Sequence, residues 1–138
     1  MAYDLQRFVD AQEGAHREAL AEIRRGRKMG HWMWFVFPQV AGLGRSEMSR
    51  YYAIASLDEA RAYLAHPVLG PRLRECAEAA LGMPARSAED AFGSIDAKKL
   101  RSSMTLFHRA APDEPVFGRV LDRWYGGLPD DATDARIG

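Results

Sequence analysis

The chain has 138 residues with 19 basic and 19 acidic side chains, so its zero net charge gives no global attraction to nucleic acid or to an anionic membrane. Its one cysteine, Cys76, excludes an internal disulfide, and the sequence predicts neither a signal peptide nor a membrane-spanning segment. We therefore expect a single cytoplasmic domain over residues 1–138 with a conventional hydrophobic core. The sequence favours no particular oligomeric state.

The N-terminal part carries a helical apolar stripe from Leu5 to Ile23 that Asp4 is predicted to cap. Gly14 interrupts the stripe, so one bent helix and two shorter helices are both compatible with it. Two polar residues within the stripe are Gln12 and His16, and the cations that follow it are Arg24, Arg25, Arg27 and Lys28. These cations either complement the negative end of the helix dipole or form an anion site.

The segment 30–39 is the densest apolar run of the chain, with a glycine and Pro38 near its ends. Its large aromatics are Trp32, Trp34, Phe35 and Phe37. Periodicity is ambiguous here, because this composition suits a strand while the spacing also fits a helix. We predict a buried helix, because every other segment has a helical pattern and a lone strand would lack hydrogen-bond partners.

Serines and glycines mark the helices of the middle part. Ser46 or Ser49 is predicted to start a short piece, and Ser56 with Glu59 forms a capping-box pattern at the start of a helix that runs to about residue 64. The next apolar face places Cys76 in the core before Gly82 stops the helix. The sequence also predicts a short helical turn that begins at Ser87 and ends near Gly93.

The C-terminal part predicts two helices and an acidic tail. Asp96 is predicted to cap a helix with Ser103 and Phe107 on its inward side, and Pro115 begins another helix whose inward face includes Trp124. The tail at about 128–138 is expected to be poorly ordered, because it has little apolar content. The predicted fold class is all-α, a single compact multi-helix domain around the buried aromatic segment, with Trp32, Phe35, Phe107 and Trp124 in one core.

The polar residues beside the aromatic and glycine-containing segments predict a mostly apolar cleft with few polar anchors. The candidate ligand-binding residues are Lys28, His31, Trp32, Gln39, Arg45, Ser46, Lys99 and Ser103, and the candidate catalytic acid or base is Asp96. The alternative for each residue is a satisfied hydrogen bond in the core. Metal-ligand spacing, a G-x-S-x-G elbow, and phosphate-loop and dinucleotide fingerprints are absent from the sequence, so we expect neither a metal nor a cofactor.

Motifs across nearly the whole chain resemble a family of small bacterial proteins of unknown function that often carry the label calpastatin. The resemblance rests on the stretches 27–28, 31–39, 42–44 with Ser46, 52–54, 59–60, 66–70, Asp96 with 99–100, and 102–107. It implies a mainly α-helical domain without an established activity. The label itself implies disordered, repetitive inhibitory segments, which this sequence does not resemble, and we set it aside.

A more distant similarity is to the NADAR family, which includes N-glycosidases acting on nucleotide-like compounds. It implies an all-helical domain with a polar, aromatic pocket, and no residue here is matched to that family's catalytic glutamate.

Two hypotheses about function follow from the sequence. One is a pocket that recognises an anionic or nucleotide-like ligand, in which Lys28 and Arg45 hold a phosphate and Asp96 serves as a hydrolytic carboxylate. The other is a non-enzymatic interaction module. A cleft that joins His31, Gln39 and Asp96 would favour the pocket.

Overall fold

The computed structural model describes residues 3–137, which form ten α-helices and no strand, so the predicted all-α class is confirmed. The helices are α1 (Gln6–Gln12), α2 (Ala15–Arg25), α3 (Met33–Val36), α4 (Glu47–Tyr51), α5 (Leu57–Ala65), α6 (Leu69–Leu81), α7 (Ala88–Phe92), α8 (Ser94–Ala110), α9 (Pro115–Tyr125) and α10 (Asp131–Ile137). None of these helices combines the length and the hydropathy that a bilayer crossing requires.

The N-terminal apolar stripe is split between α1 and α2. Gly14 makes the break with a φ of +77°, a conformation that costs glycine little and strains other residues. The residue that precedes the first turn of α1 is Leu5, and no side chain caps this turn, so the predicted cap at Asp4 is wrong. The carbonyl of Asp4 instead accepts a hydrogen bond from the Arg7 guanidinium.

The central aromatic segment contains the single helical turn α3, which Gln12 ties to its neighbours. The Gln12 amide donates to the Phe35 carbonyl at 2.7 Å and to the Tyr63 hydroxyl at 3.0 Å. All three residues are buried, so these bonds satisfy polar groups that would otherwise destabilise the core. Gln12 is therefore a satisfied core residue.

The core joins the aromatic segment to α5, α8 and α9. Trp32, Phe35 and Phe107 are buried in it, and Trp124 packs against its edge, where its indole N–H donates to the Ala80 carbonyl at 2.8 Å. The prediction of one core that includes these four aromatics is confirmed.

Three of the predicted serine caps are present. Ser46, Ser56 and Ser87 accept hydrogen bonds from the backbone N–H three residues later, at 3.1, 3.2 and 3.0 Å. The capping box differs in one partner, because the Glu59 carboxylate accepts from the Ala55 N–H at 2.7 Å and not from that of Ser56. Glu59 thus fixes the loop before α5 as well as its first turn.

Helix α8 begins three residues earlier than the sequence predicts. Its N-cap is Gly93, which has a φ of +83°, and Ser94 is the first helical residue. Asp96 therefore lies inside the first turn, and its predicted role as the cap is wrong. The Asp96 carboxylate forms an ion pair with the Lys28 ammonium instead.

The acidic C-terminal segment is helical where the sequence predicts a poorly ordered tail. The Asp130 carboxylate accepts from the Thr133 N–H and from the Ser102 hydroxyl, both at 3.0 Å, and Asp134 pairs with Arg109 at 2.9 Å. These polar contacts fix α10 on α8 without the apolar content on which the prediction relied. Residue 138 lies outside the described range.

We expect replacement of Phe107 by alanine to lower the free energy of unfolding by about 3–5 kcal/mol, because this ring is fully buried. Urea denaturation measures this loss. Leu128→Ala is the control, since Leu128 is 62% exposed, and it should change stability by less than about 0.5 kcal/mol. Equal effects of the two substitutions would contradict the described core.

Candidate functional site

Two adjoining cavities open beside the aromatic segment, one of about 550 Å³ and one of about 320 Å³. Trp34 and Ile95 line both of them, and together we call them the cleft. The larger cavity is bounded by the loop 39–44, by α4 and by residues of α8 and α10. The smaller cavity is bounded by the segment 28–34 and by the start of α8.

The chain has 16 arginines and only three lysines, and all three lysines line the cleft. Lys28 lines the smaller cavity, and Lys98 and Lys99 line the larger one beside Arg50. One carboxylate, that of Asp130, also lines the larger cavity. Cations therefore outnumber anions in the larger cavity, which suits an anionic ligand.

An ion-pair network connects the two cavities. The Asp96 carboxylate lies 2.9 Å from the Lys28 ammonium and 3.7 Å from that of Lys99. The Lys28 ammonium also donates to the Gly30 carbonyl and lies 4.9 Å from the Trp32 ring centroid. Lys28 is thus held in place by several partners, and its charge is balanced by Asp96.

The segment that carries Lys28 and His31 is held by a buried carboxylate. Glu22 of α2 accepts hydrogen bonds from the N–H of Met29 at 2.7 Å and of Gly30 at 2.9 Å, and from the Trp32 indole at 2.9 Å. Burial raises the pKa of Glu22, but these bonds, together with the charge of Arg25, outweigh burial and hold the pKa below its ordinary value.

The loop at the opposite side of the larger cavity is held by a single parallel bridge. The Ile54 N–H donates to the Gln39 carbonyl, and the Ala41 N–H donates to the Ile54 carbonyl, both at 2.8 Å. Gly42 has a φ of +96°, and a Cβ there would lie 2.7 Å from the Arg136 guanidinium. The loop therefore needs glycine for its backbone conformation, whereas the flexible Arg136 side chain of α10 could move away from a Cβ.

Trp34 and Tyr52 give the larger cavity aromatic surface. The Lys99 ammonium lies 5.0 Å from the Trp34 ring centroid, within cation–π range. The Trp34 indole N–H is buried and finds no hydrogen-bond partner in the described part of the chain. A buried donor without a partner is uncommon in folded proteins.

The structure brings five of the predicted site residues to the cleft. Lys28, His31 and Asp96 line the smaller cavity, and Gln39 and Lys99 line the larger one. Their role in binding stays a prediction.

The other four predicted site residues do not line either cavity. Trp32 is buried with its indole bound to Glu22, and Ser46 caps α4. Arg45 is exposed outside the cleft, and Ser103 is fully buried with no partner for its hydroxyl among the described residues. Their placement in the site is a correction to the sequence-based prediction.

Sequence reasoning missed several residues that line the larger cavity, namely Trp34, Arg50, Tyr52, Lys98, Ser102 and Asp130. Lys98 could have been predicted from the sequence, because it adjoins the predicted Lys99. Asp130 was not, because it lies in a segment expected to be poorly ordered. The rarity of lysine in the sequence is a further signal that could have identified the basic side of the cleft.

A chain of Cys76, His16 and Glu75 has the order of a nucleophile, a base and an orienting carboxylate. The Cys76 Sγ lies 3.7 Å from His16 Nδ1, and His16 Nε2 lies 3.1 Å from the Glu75 carboxylate. The thiol is buried away from both cavities, and burial raises its pKa to about 12. Cys76 is therefore a core residue, because a nucleophilic thiolate needs a lowered pKa and access to substrate.

Comparisons with known proteins identify relatives without an assigned activity. A family model described as "Protein of unknown function (DUF1810)" matches residues 2–137. Among solved structures, the chain is similar to the conserved hypothetical protein Rv1873 from Mycobacterium tuberculosis, with 50% sequence identity and a TM-score of 0.95 over 98% of this chain and 96% of that chain. No curated protein matches the chain.

We expect Glu22→Gln to destabilise the protein at neutral pH by about 1.5–3 kcal/mol, the contribution of a hydrogen bond to a charged group. Because the pKa of Glu22 is lower when folded, its contribution is fully present above the ordinary value of 4.5 and is lost as the pH falls through the folded-state pKa. Urea denaturation from neutral pH to acid pH below 4.5 should show a smaller acid-induced loss of unfolding free energy for Glu22→Gln than for the native sequence.

The matched control is Glu78→Gln, because Glu78 is exposed on α6. It should reproduce the native stability and pH dependence. If Glu22→Gln behaves in the same way as this control, the carboxylate does not hold the segment.

Proposed function

The chain belongs to the DUF1810 family, whose function is unknown, and from that premise we propose that it binds a small anionic molecule with a planar ring, of nucleotide type, in the larger cavity. The gathering of all the lysines at the cleft carries this proposal. The family match agrees with the resemblance to small proteins of unknown function that the sequence motifs indicate.

The shape and lining of the larger cavity support the proposal. Its volume of about 550 Å³ falls within the range of small-molecule pockets, and its wall combines apolar residues with few polar groups. Trp34 and Tyr52 offer surface for a planar ring, and Lys98, Lys99 and Arg50 offer cations for a phosphate or carboxylate. The Gln39 side chain also lines this wall and supplies an amide.

The non-enzymatic interaction module is favoured less. It required a sealed core around the aromatic segment, whereas Trp34 of this segment faces both cavities. His31, Gln39 and Asp96 line adjoining cavities, which is the arrangement that the pocket hypothesis required.

Hydrolysis of an N-glycosidic bond is a second candidate function. It is supported by Asp96, a carboxylate that lines the smaller cavity together with the His31 imidazole and is 22% exposed at its side chain. The adjacent Lys28 ammonium already compensates its charge, which reduces the stabilisation available to a positive sugar. Binding is for this reason the first proposal and hydrolysis the second.

We expect a nucleotide-like anion to raise the melting temperature of the protein. Mass action adds about 2.7 kcal/mol of stability at a concentration about 100 times the dissociation constant. The panel comprises inorganic phosphate, AMP, ADP-ribose, NAD and riboflavin-pathway intermediates, and thermal denaturation is the measurement. A panel without any shift would contradict the proposal and favour the interaction module.

Lys99→Ala should abolish the shift with the ligand that the panel identifies, because it removes a cation from the larger cavity. Arg45→Ala is the matched control, since Arg45 is exposed outside the cleft, and it should leave the shift unchanged. The opposite pattern would restore the sequence-based assignment of Arg45 and contradict the assignment of the larger cavity.

If hydrolysis occurs, Asp96→Asn should reduce turnover by orders of magnitude, because asparagine cannot carry the negative charge. The melting temperature should also fall, because Asp96 is the ion-pair partner of the largely buried Lys28 ammonium, so turnover is compared at a temperature at which the variant is folded by circular dichroism. Turnover of the identified ligand at the native rate by Asp96→Asn would exclude Asp96 as a catalytic residue.

A further inference from the structure

The two cavities adjoin at Trp34 and Ile95. Trp34 and Ile95 line both, so the boundary between the cavities consists of shared side chains. The ion pair of Asp96 and Lys99 also crosses this boundary, because Asp96 lines the smaller cavity and Lys99 lines the larger one. Ile95 is 71% exposed, so the boundary beside it is open to solvent, and a ligand that extends over Ile95 from the larger cavity would reach the smaller one.

The charges of the two cavities differ. The larger cavity is lined by three cations, of which Lys99 also pairs with Asp96 at 3.7 Å, and by the Asp130 carboxylate, which is already engaged by the Thr133 N–H and the Ser102 hydroxyl. In the smaller cavity Lys28 is paired with Asp96 at 2.9 Å, so its charges are balanced. An anionic group is thus attracted to the larger cavity, whereas the smaller cavity suits an uncharged group.

The polar groups of the smaller cavity are those that bind hydroxyl groups. A carboxylate accepts hydrogen bonds at several lone pairs, and an imidazole both donates and accepts. Asp96 and His31 supply these groups beside the apolar surfaces of Met33 and Phe92. Such a mixture of polar edges and apolar faces complements a ring that carries hydroxyls on its edges.

We propose that the cleft binds one two-part ligand, a nucleotide-type anion in the larger cavity that carries an uncharged, hydroxyl-bearing group of sugar type in the smaller cavity. This inference rests on the proposed function and adds the class of ligand. Trp34 lies at the junction of the two parts, because it lines both cavities.

The test compares UDP with UDP-glucose, and ADP with ADP-glucose, by isothermal titration calorimetry. The two members of each pair differ by one hexose, which also removes a negative charge, so a gain in affinity cannot come from attraction to the lysines. We expect the hexose to tighten binding about tenfold in at least one pair, the effect of one or two net hydrogen bonds.

Ser94→Phe is designed to fill the smaller cavity, because Ser94 is exposed and lines that cavity alone. It should remove the gain from the hexose and leave the affinity for the diphosphate unchanged. Asp113→Phe adds the same side chain at an exposed position outside the cleft and should alter neither affinity. His31→Ala is a second variant that lowers the gain without added bulk.

The possible failures differ from one another. If the native protein binds a diphosphate but gains nothing from the hexose, or if Ser94→Phe keeps the gain while folding normally by circular dichroism, the two-part ligand is excluded and the anion site stands. If neither pair binds to the native protein, this inference fails, and the proposed function fails as well only if no ligand of the thermal-denaturation panel shifts the melting temperature.

Discussion

Three donors from one short segment converge on the buried carboxylate of Glu22: the backbone N–H groups of Met29 and Gly30 and the indole of Trp32. A buried carboxylate is costly unless it is bound by donors, and these three provide that compensation. The same contacts fix the direction of the chain between α2 and α3. Lys28 and His31 reach the smaller cavity because this segment has one conformation.

The other side of the cleft depends on polar contacts from elements far apart in the sequence. Ile54 fixes the loop 39–44 through two backbone hydrogen bonds, and Asp130 fixes α10 on α8 through Ser102. Arg136 of α10 lies against Gly42 of the loop. The larger cavity is thus enclosed by structural contacts, and its wall carries Lys98 and Lys99, of which Lys99 also pairs with Asp96 at 3.7 Å.

The parts of the fold that depend on local pattern could be predicted from the sequence. Serine caps act three residues away, and the apolar stripes of α6, α8 and α9 repeat within one helix, so their signals lie in short stretches. The start of α8 could not be predicted in this way, because Gly93 and Asp96 are both acceptable near a helix start. The order of α10 depends on Ser102 and Arg109, which periodicity in the tail does not reveal.

The location of the candidate site beside the aromatic segment could be predicted from the sequence, whereas several of its residues could not. Lys28, His31 and Gln39 follow from their positions at the ends of the aromatic segment, because the ends of a buried segment lie at the rim of the core. Trp32 and Trp34 could not be told apart, since only the tertiary contact with Glu22 decides which indole is buried. Ser103 was misplaced because an inward position on α8 leads to the core as readily as to a cavity.

The central claim is that the lysines of the cleft surround one ligand, and acetylation of lysine followed by mass spectrometry tests it most directly. The chain has only three lysines, so the reactivity of each can be followed separately. With the ligand identified by thermal denaturation, we predict that Lys98 and Lys99 become protected together, and that a two-part ligand also protects Lys28. Unchanged reactivity of Lys98 and Lys99 at a saturating ligand concentration would contradict the account.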